Sequence, residues 1–248
     1  MSDVLVEQDG RILRITLNRP EGGNGLSDEM CNELTARLRD AHEVADFVIL
    51  RGAGKEFCTG RYVPGGPSPG TASGPKIEAY DARRRFDTVF DCYAAIRECL
   101  IPVVGVVQGK AFGAGCAVAA LCDITIASDA ATFCAPEMRH NILPTMVMSA
   151  LVDRVPLKAL SYLIYTTAEI SADRALTFGL VSNVVPAADL EKEVEFVTKA
   201  LLNEPKPALI GVKEYVGPAL KMGVGGAVAY ARSLHAMINT TSEMRPAK

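Results

Sequence analysis

Residues 108–123 read QGKAFGAGCAVAALCD, and this stretch decides how the chain is organised. It follows VVGVV at 103–107, a short run apolar on both faces that suits a strand buried on both sides. Glycines at 109, 113 and 115 permit a tight turn with close backbone approach. An alanine-rich helix then runs from Ala114 to near Cys122. The first N–H groups of such a helix have no intrahelical acceptor and stand at the positive end of its dipole, so they suit a developing oxyanion. The same glycines would also let a helix pack tightly on a sheet, and spacing alone leaves both readings open. A dinucleotide fingerprint is not met, because Gly109, Gly113 and Gly115 do not follow G-x-G-x-x-G.

Two further segments stand out on either side. FVILRG at 47–52 is another doubly apolar strand, and GAGKEFCTGR at 52–61 follows it directly. FCAPEM at 133–138 sets Glu137 in an apolar neighbourhood. A carboxylate held in such surroundings has a raised pKa and serves as acid or base, whereas one at an exposed corner pairs with a cation, for which Arg139 is close in sequence. His140 is a second titratable candidate, with a packed or surface role as its alternative. His42, His235, Lys213 and Lys221 fall on helical patterns and read as structural or solvated. No G-x-S-x-G elbow starts a Ser-His-Asp triad.

The rest of the chain alternates strands and helices early and is mostly helical after Pro144. VLVE at 4–7 and RILRITL at 11–17 flank Gln8-Asp9-Gly10, a hairpin signal. Ser27 offers an N-cap to a helix striped by Met30, Leu34, Leu38 and Ala41. PGGPSPGTASGP at 64–75 is too rich in Gly and Pro for a helix or ladder and reads as a loop. Phe86, Val89, Phe90, Tyr93, Ile96 and Leu100 stripe the helix after it. DITIAS at 123–128 and ATF at 131–133 read as strands, and helices are expected over 146–153, 156–165 and 172–178. VSNVV at 181–185 reads as a strand, with helices over 207–222 and 226–240. One α/β core with a C-terminal helical extension is the economical architecture.

Composition excludes several classes. The 248 residues hold 26 Lys+Arg against 29 Asp+Glu, a net −3, with 49% hydrophobic residues. Such a chain is not disordered, and it has no basic excess for nucleic acid. No apolar run approaches the ~18 residues of a membrane span. The seven cysteines include no CxxC pair and sit in apolar runs, which points to buried thiols in a reducing compartment rather than disulfides. A zinc site lacks its spacing and its histidines. MSDVLVEQDGR has neither a basic nor an apolar signal region, so a cytoplasmic protein is expected.

Taken in order, the segments resemble the crotonase superfamily of enoyl-CoA hydratases and isomerases. TLNRPEGGNGLSDEM at 16–30, FCTGR, QGKAFGAGCAVAALCD, ATFCAPEM and SADRALTFGLVSNVVP at 171–186 are similar to its successive blocks, and the resemblance covers nearly the whole chain. It implies an α/β, crotonase-like fold of repeated ββα units. The core, with its CoA and acyl site, would span 1–190, and a C-terminal helical segment at 191–248 would serve oligomerisation or act as a lid. It implies a homotrimer or a dimer of trimers and an acyl-CoA substrate, with coenzyme A part of that substrate, no permanently bound cofactor and no metal. The resemblance also places an oxyanion hole in the backbone N–H groups of Arg61, after Gly60, and of Ala114, between Gly113 and Gly115. The Arg61 side chain is then expected to reach or close over CoA. The CoA phosphates require a local basic patch, expected at Arg61, Arg83, Arg84, Arg85 and Lys110.

Of the two glutamates typical of the family's hydratases, one is kept as Glu137, while Ala117 occupies the position of the other. One carboxylate can still move a proton between two carbons, so double-bond isomerisation is the expected reaction. Gly60, Gly113, Gly115, Ala117 and His140 are expected around the substrate. The family's G-G-T-Q-R-L run is replaced by PTMVMSALVDRVP, a region that helps shape the acyl pocket, and Ile77–Tyr93 with the loop at 64–75 is expected to line or cover it. The alternatives are a hydratase or a thioester or C–C hydrolase using water held by Glu137, and a non-catalytic CoA-binding member.

Overall fold

A computed structural model describes residues 2–62, 78–84 and 86–244. The loop expected at 64–75, Ile77 and Arg85 lie outside the described residues. In chain order the elements begin with β1 (Val4–Asp9), β2 (Ile12–Leu17), α1 (Asp28–Val44) and β3 (Phe47–Gly52). Next come α2 (Ala79–Arg84), α3 (Asp87–Glu98), β4 (Val103–Val107), β5 (Lys110–Phe112) and α4 (Ala114–Leu121). After β6 (Ile124–Ser128) and β7 (Thr132–Cys134) a short 3-10 turn spans Glu137–His140, followed by α5 (Thr145–Leu151) and α6 (Leu157–Thr166). The chain continues through β8 (Ile170–Ser171), α7 (Ala172–Thr177) and β9 (Asn183–Val185) to α8 (Leu190–Leu202), α9 (Lys206–Ala219) and α10 (Val224–Ile238).

Six strands form one sheet in the order β1-β2-β3-β4-β6-β9, antiparallel only at the β1–β2 hairpin. A smaller sheet, β5-β7-β8, stands beside it. The doubly apolar strands are central and buried on both faces, as their sequences require. Val48 and Leu50 of β3 face the main core with α1, α3 and α4. Phe47 and Ile49 face a second core closed by Leu190 and Val194 of α8. Each such side chain contributes about 1.5–3 kcal/mol through burial.

Local signals explain most of the boundaries. Ser27 caps α1 by accepting a 3.2 Å hydrogen bond from the Met30 N–H, and Met30, Leu34, Leu38 and Ala41 are all buried. Two expectations are corrected. Lys110–Phe112 is not part of a continuous glycine turn but forms β5, because Ala111 pairs with β7 on one side and bridges Cys58 on the other. On α3 the buried stripe is Val89, Cys92, Tyr93 and Ile96; Phe86, Phe90 and Leu100 are exposed, since α1 and α4 cover only one side of the helix.

All seven cysteines are free and buried. Among the described residues no helix is long and apolar enough to cross a membrane.

Close packing of α4 against the 57–61 arm sets the site. A Cβ at Gly115 would fall inside the van der Waals shell of the Cys58 carbonyl. Gly115→Ala therefore forces the arm and the helix apart, and its expected cost is about 1–3 kcal/mol or more. A urea unfolding midpoint equal to that of the parent protein would refute this contact.

Candidate active site

The arm at 58–62 lies between two backbone partners. Leu26 bridges Arg61, with the Leu26 N–H donating to Gly60 O at 2.8 Å and the Tyr62 N–H donating to Leu26 O at 2.8 Å. On the other side Cys58 bridges Ala111, with Cys58 N–H to Lys110 O at 3.0 Å and Phe112 N–H to Cys58 O at 2.9 Å. In this pairing the Arg61 N–H faces away from Leu26. It finds no acceptor among the described residues.

Asn24 holds the base of the arm. Fully buried in a left-handed conformation (φ +55°), it accepts from the Arg19 N–H at 2.9 Å and donates to Ala53 O at 2.8 Å and Glu56 O at 2.7 Å. Gln108 Nε2 adds a 2.7 Å bond to Gly52 O, and Glu56 Oε2 accepts from the Lys110 N–H at 2.6 Å. The two loops that leave β3 and β4 are thereby tied to each other.

Gly113 turns the chain into α4 with φ +50° and ψ −117°, a conformation open to glycine and costly for other residues. Its N–H donates to Cys134 O at 2.8 Å, and the first bond into the helix runs from the Ala117 N–H to Gly113 O at 3.0 Å. The Ala114 N–H is consequently left without an acceptor among the described residues, at the positive end of the helix. A Cβ on Gly113 would come within 2.9 Å of Glu137 Oε1 and 3.8 Å of the Gly60 Cα. Gly60, Gly113 and Glu137 therefore meet at one point.

That point opens into a cavity of about 290 Å³ lined by Thr59, Gly60, Arg61, Gly113, Ala114, Pro136, Glu137 and His140, with Phe86, Tyr93, Ile142, Met146 and Val147 as its apolar wall. Glu137 begins the turn after β7. Its expected competitor for an ion pair, Arg139, is turned away: the Arg139 Nε donates to Thr167 Oγ1 at 2.8 Å, and its Nη2 donates to Thr167 O. Glu137 Oε2 is buried with no hydrogen-bond partner among the described residues. Burial raises the Glu137 carboxyl pKa above its usual value, against smaller lowering effects of its own backbone N–H and of His140.

Of the residues expected at the substrate, Gly60, Arg61, Gly113, Ala114, Glu137 and His140 line this cavity, while Gly115 and Ala117 do not. Gly115 packs under the Cys58 carbonyl, and Ala117 lies one turn into α4, fully buried in the core. The Arg61 side chain is also placed otherwise than expected. It binds Asp28 Oδ1 at 2.7 Å and Leu26 O at 3.1 Å, and lies 3.6 Å from Cys31 Sγ, so it anchors the arm to the start of α1. Of the expected basic patch, Arg83 is exposed and Arg84 pairs with Asp87 at 3.6 Å. Lys110 is exposed with its Nζ 5.5 Å from the Phe112 ring centroid.

In the sequence Tyr93 belongs to a helical stripe within the stretch expected near the acyl group. Its hydroxyl could not be singled out, because a tyrosine at helical spacing reads as core. Among the described residues no group of three or more His, Cys, Asp or Glu side chains is placed to hold a metal ion.

A family model described as enoyl-CoA hydratase/isomerase matches residues 7–245. The chain is 33% identical over 234 residues to the probable enoyl-CoA hydratase echA8 of Mycobacterium bovis, covering 93% of this chain and 87% of that protein. It is 28% identical to the short-chain-enoyl-CoA hydratase of Clostridium acetobutylicum, covering 100% and 93% of the two chains. Among solved structures, an enoyl-CoA hydratase from Mycobacterium smegmatis superimposes with a TM-score of 0.88 at 28% identity, over 97% of this chain and 92% of that one. A Thermobifida fusca protein described as an enoyl-CoA hydratase and solved with CoA gives 0.85 at 25% identity, over 95% and 92%. With a match over almost its full length and the crotonase fold around the cavity, the chain belongs to the enoyl-CoA hydratase/isomerase family.

Proposed function

We propose that this enzyme moves a proton beside the thioester carbonyl of an enoyl-CoA, with Glu137 as the one acid/base. The observation that carries the reading is that one cavity is lined by Glu137, whose buried Oε2 has no hydrogen-bond partner among the described residues, and by Arg61 and Ala114, whose N–H groups have no acceptor among them. The thioester oxygen accepts from both N–H groups. Glu137 takes the C2 proton, and the electron pair moves onto that oxygen as an enolate. Each donor lowers the barrier by roughly 3–4 kcal/mol. Return of the proton at C4 moves the double bond from the 3- to the 2-position. No second carboxylate lines the cavity among the described residues, and this favours isomerisation. Hydration is the second reading, favoured by the hydratase names of the relatives.

A 3-enoyl-CoA thioester offered to the protein is expected to gain the absorbance of the conjugated 2-enoyl product. Glu137→Gln should lower that rate by about 100-fold or more, and unchanged turnover would remove Glu137 from the mechanism. The base must be ionised, so the acid limb of the kcat/KM profile is expected above the ordinary carboxyl value of 4.5.

Stability should run in the opposite sense. A raised carboxyl pKa means that the folded state holds its proton to higher pH than the unfolded chain does. The penalty for ionising Glu137 is therefore absent below about 4.5 and grows as pH rises through the folded value. Glu137→Gln is expected to melt higher than the parent at pH 7 to 8, with the gap closing on acidification. Thermal melts across that range check it.

We read the exposed apolar residues Val212 and Val216 of α9, Leu220 just after it, and Val224 and Val228 of α10 as subunit contacts of the homotrimer or dimer of trimers. Light scattering is expected to give three or six times the 26.4 kDa chain mass; a monomer would refute it.

A further inference from the structure

The wall of the cavity contains a second orphan. Tyr93 of α3 lines it together with Glu137, is only 4% exposed, and its Oη has no hydrogen-bond partner among the described residues. A buried hydroxyl left unpaired costs about 1–3 kcal/mol, and phenylalanine would fill nearly the same space without that cost. Gln108 Oε1 and Arg154 Nε are also buried without hydrogen-bond partners among the described residues, but neither residue lines this cavity. Tyr93 and Glu137 thus line one cavity whose remaining wall is largely apolar, and each carries a buried oxygen without a hydrogen-bond partner among the described residues. Ala117 has no polar group to offer, and it is turned into the core.

We propose that Tyr93 is a catalytic residue, its Oη and Glu137 Oε2 together holding an oxygen at C3 of the acyl group, first as water and then as the 3-hydroxyl. This gives the site hydration of 2-enoyl-CoA thioesters beside the double-bond shift, and it rests on Glu137 being the acid/base. The bond from the water oxygen to C3 forms as the C2–C3 π bond breaks, and that electron pair moves onto the thioester oxygen. One water proton passes to Glu137 Oε2. It returns to C2 when the enolate collapses, so the carboxylate is regenerated. Tyr93 accepts a hydrogen bond from the other water hydrogen and exchanges no proton. Burial, followed by the thiols of Cys92, Cys31 and Cys58 and the charge of Glu137, holds the phenol well above its ordinary pKa, which keeps it neutral in this role.

The test compares two rates on one preparation: hydration of crotonyl-CoA, read as loss of the conjugated thioester, and isomerisation of 3-hexenoyl-CoA, read as its gain. Isomerisation consumes no water. In Tyr93→Phe the ratio of hydration to isomerisation is expected to fall by about 10- to 100-fold, the loss of one hydrogen bond to a reacting group. The melting temperature should stay the same or rise, because no protein partner is lost. An unchanged ratio, or a parent protein that does not hydrate crotonyl-CoA, overturns the role of Tyr93. Glu137→Gln, measured alongside, should lose both reactions. If it keeps both, the Glu137 reading fails on its own, whereas loss of both with an unchanged Tyr93→Phe ratio leaves Glu137 standing and removes Tyr93.

Discussion

The close approach of α4 to the 57–61 arm is the constraint from which the site follows. It requires Gly115 to lie under the Cys58 carbonyl, where no side chain fits. It also requires Gly113 to turn through a left-handed conformation at the start of the helix. Once the two segments touch, the arm can bridge Ala111 on one side and Leu26 on the other. Those bridges use the polar groups of Cys58, Gly60 and Tyr62 and pass over the N–H of Arg61. The first N–H of α4 is left over for the ordinary reason that a helix has no acceptor for it. Arg61 and Ala114 both line one cavity, and on the proposed reading their leftover donors turn a packing solution into a binding site for a developing negative charge.

Glu137 shows how an environment selects a role for a side chain. Its near neighbour in sequence is an arginine that could have neutralised it. Thr167 removes that partner by taking the Arg139 guanidinium with its hydroxyl and its carbonyl. Thr167 can do so because it ends α6 in a left-handed conformation (φ +51°). The carboxylate keeps a buried Oε2 with no hydrogen-bond partner among the described residues, and burial raises its proton affinity. Arg61 is treated in the reverse manner. Its guanidinium is held by Asp28 and Leu26 O, so its side chain anchors the arm to the start of α1.

Much of the architecture is legible because short-range rules produce it. FVILRG and VVGVV are apolar on both faces, and they became central strands covered on both sides. Ser27 caps the helix that it precedes, and its i, i+4, i+8 stripe is buried. Legibility fails where a distant partner decides. Lys110–Phe112 has no strand signature of its own and pairs because Cys58 and β7 arrive beside it. Phe86 and Phe90 look like core on α3 and are exposed because the covering helices reach only one side.

The linear sequence by itself determined the strand–turn–helix order, the glycine positions that permit close approach, and the presence of one carboxylate in an apolar block after Phe133. Those are properties of neighbours along the chain, set by backbone sterics and by local hydrophobic pattern. The tertiary structure alone decided which N–H groups lack acceptors, which partner Arg139 takes and where the Arg61 side chain goes. It also decided that Ala117 is buried in the core and that the Tyr93 hydroxyl is buried without a hydrogen-bond partner among the described residues. Each of these depends on burial and on hydrogen-bond partners tens of residues away, and neither quantity exists until the loops are packed together.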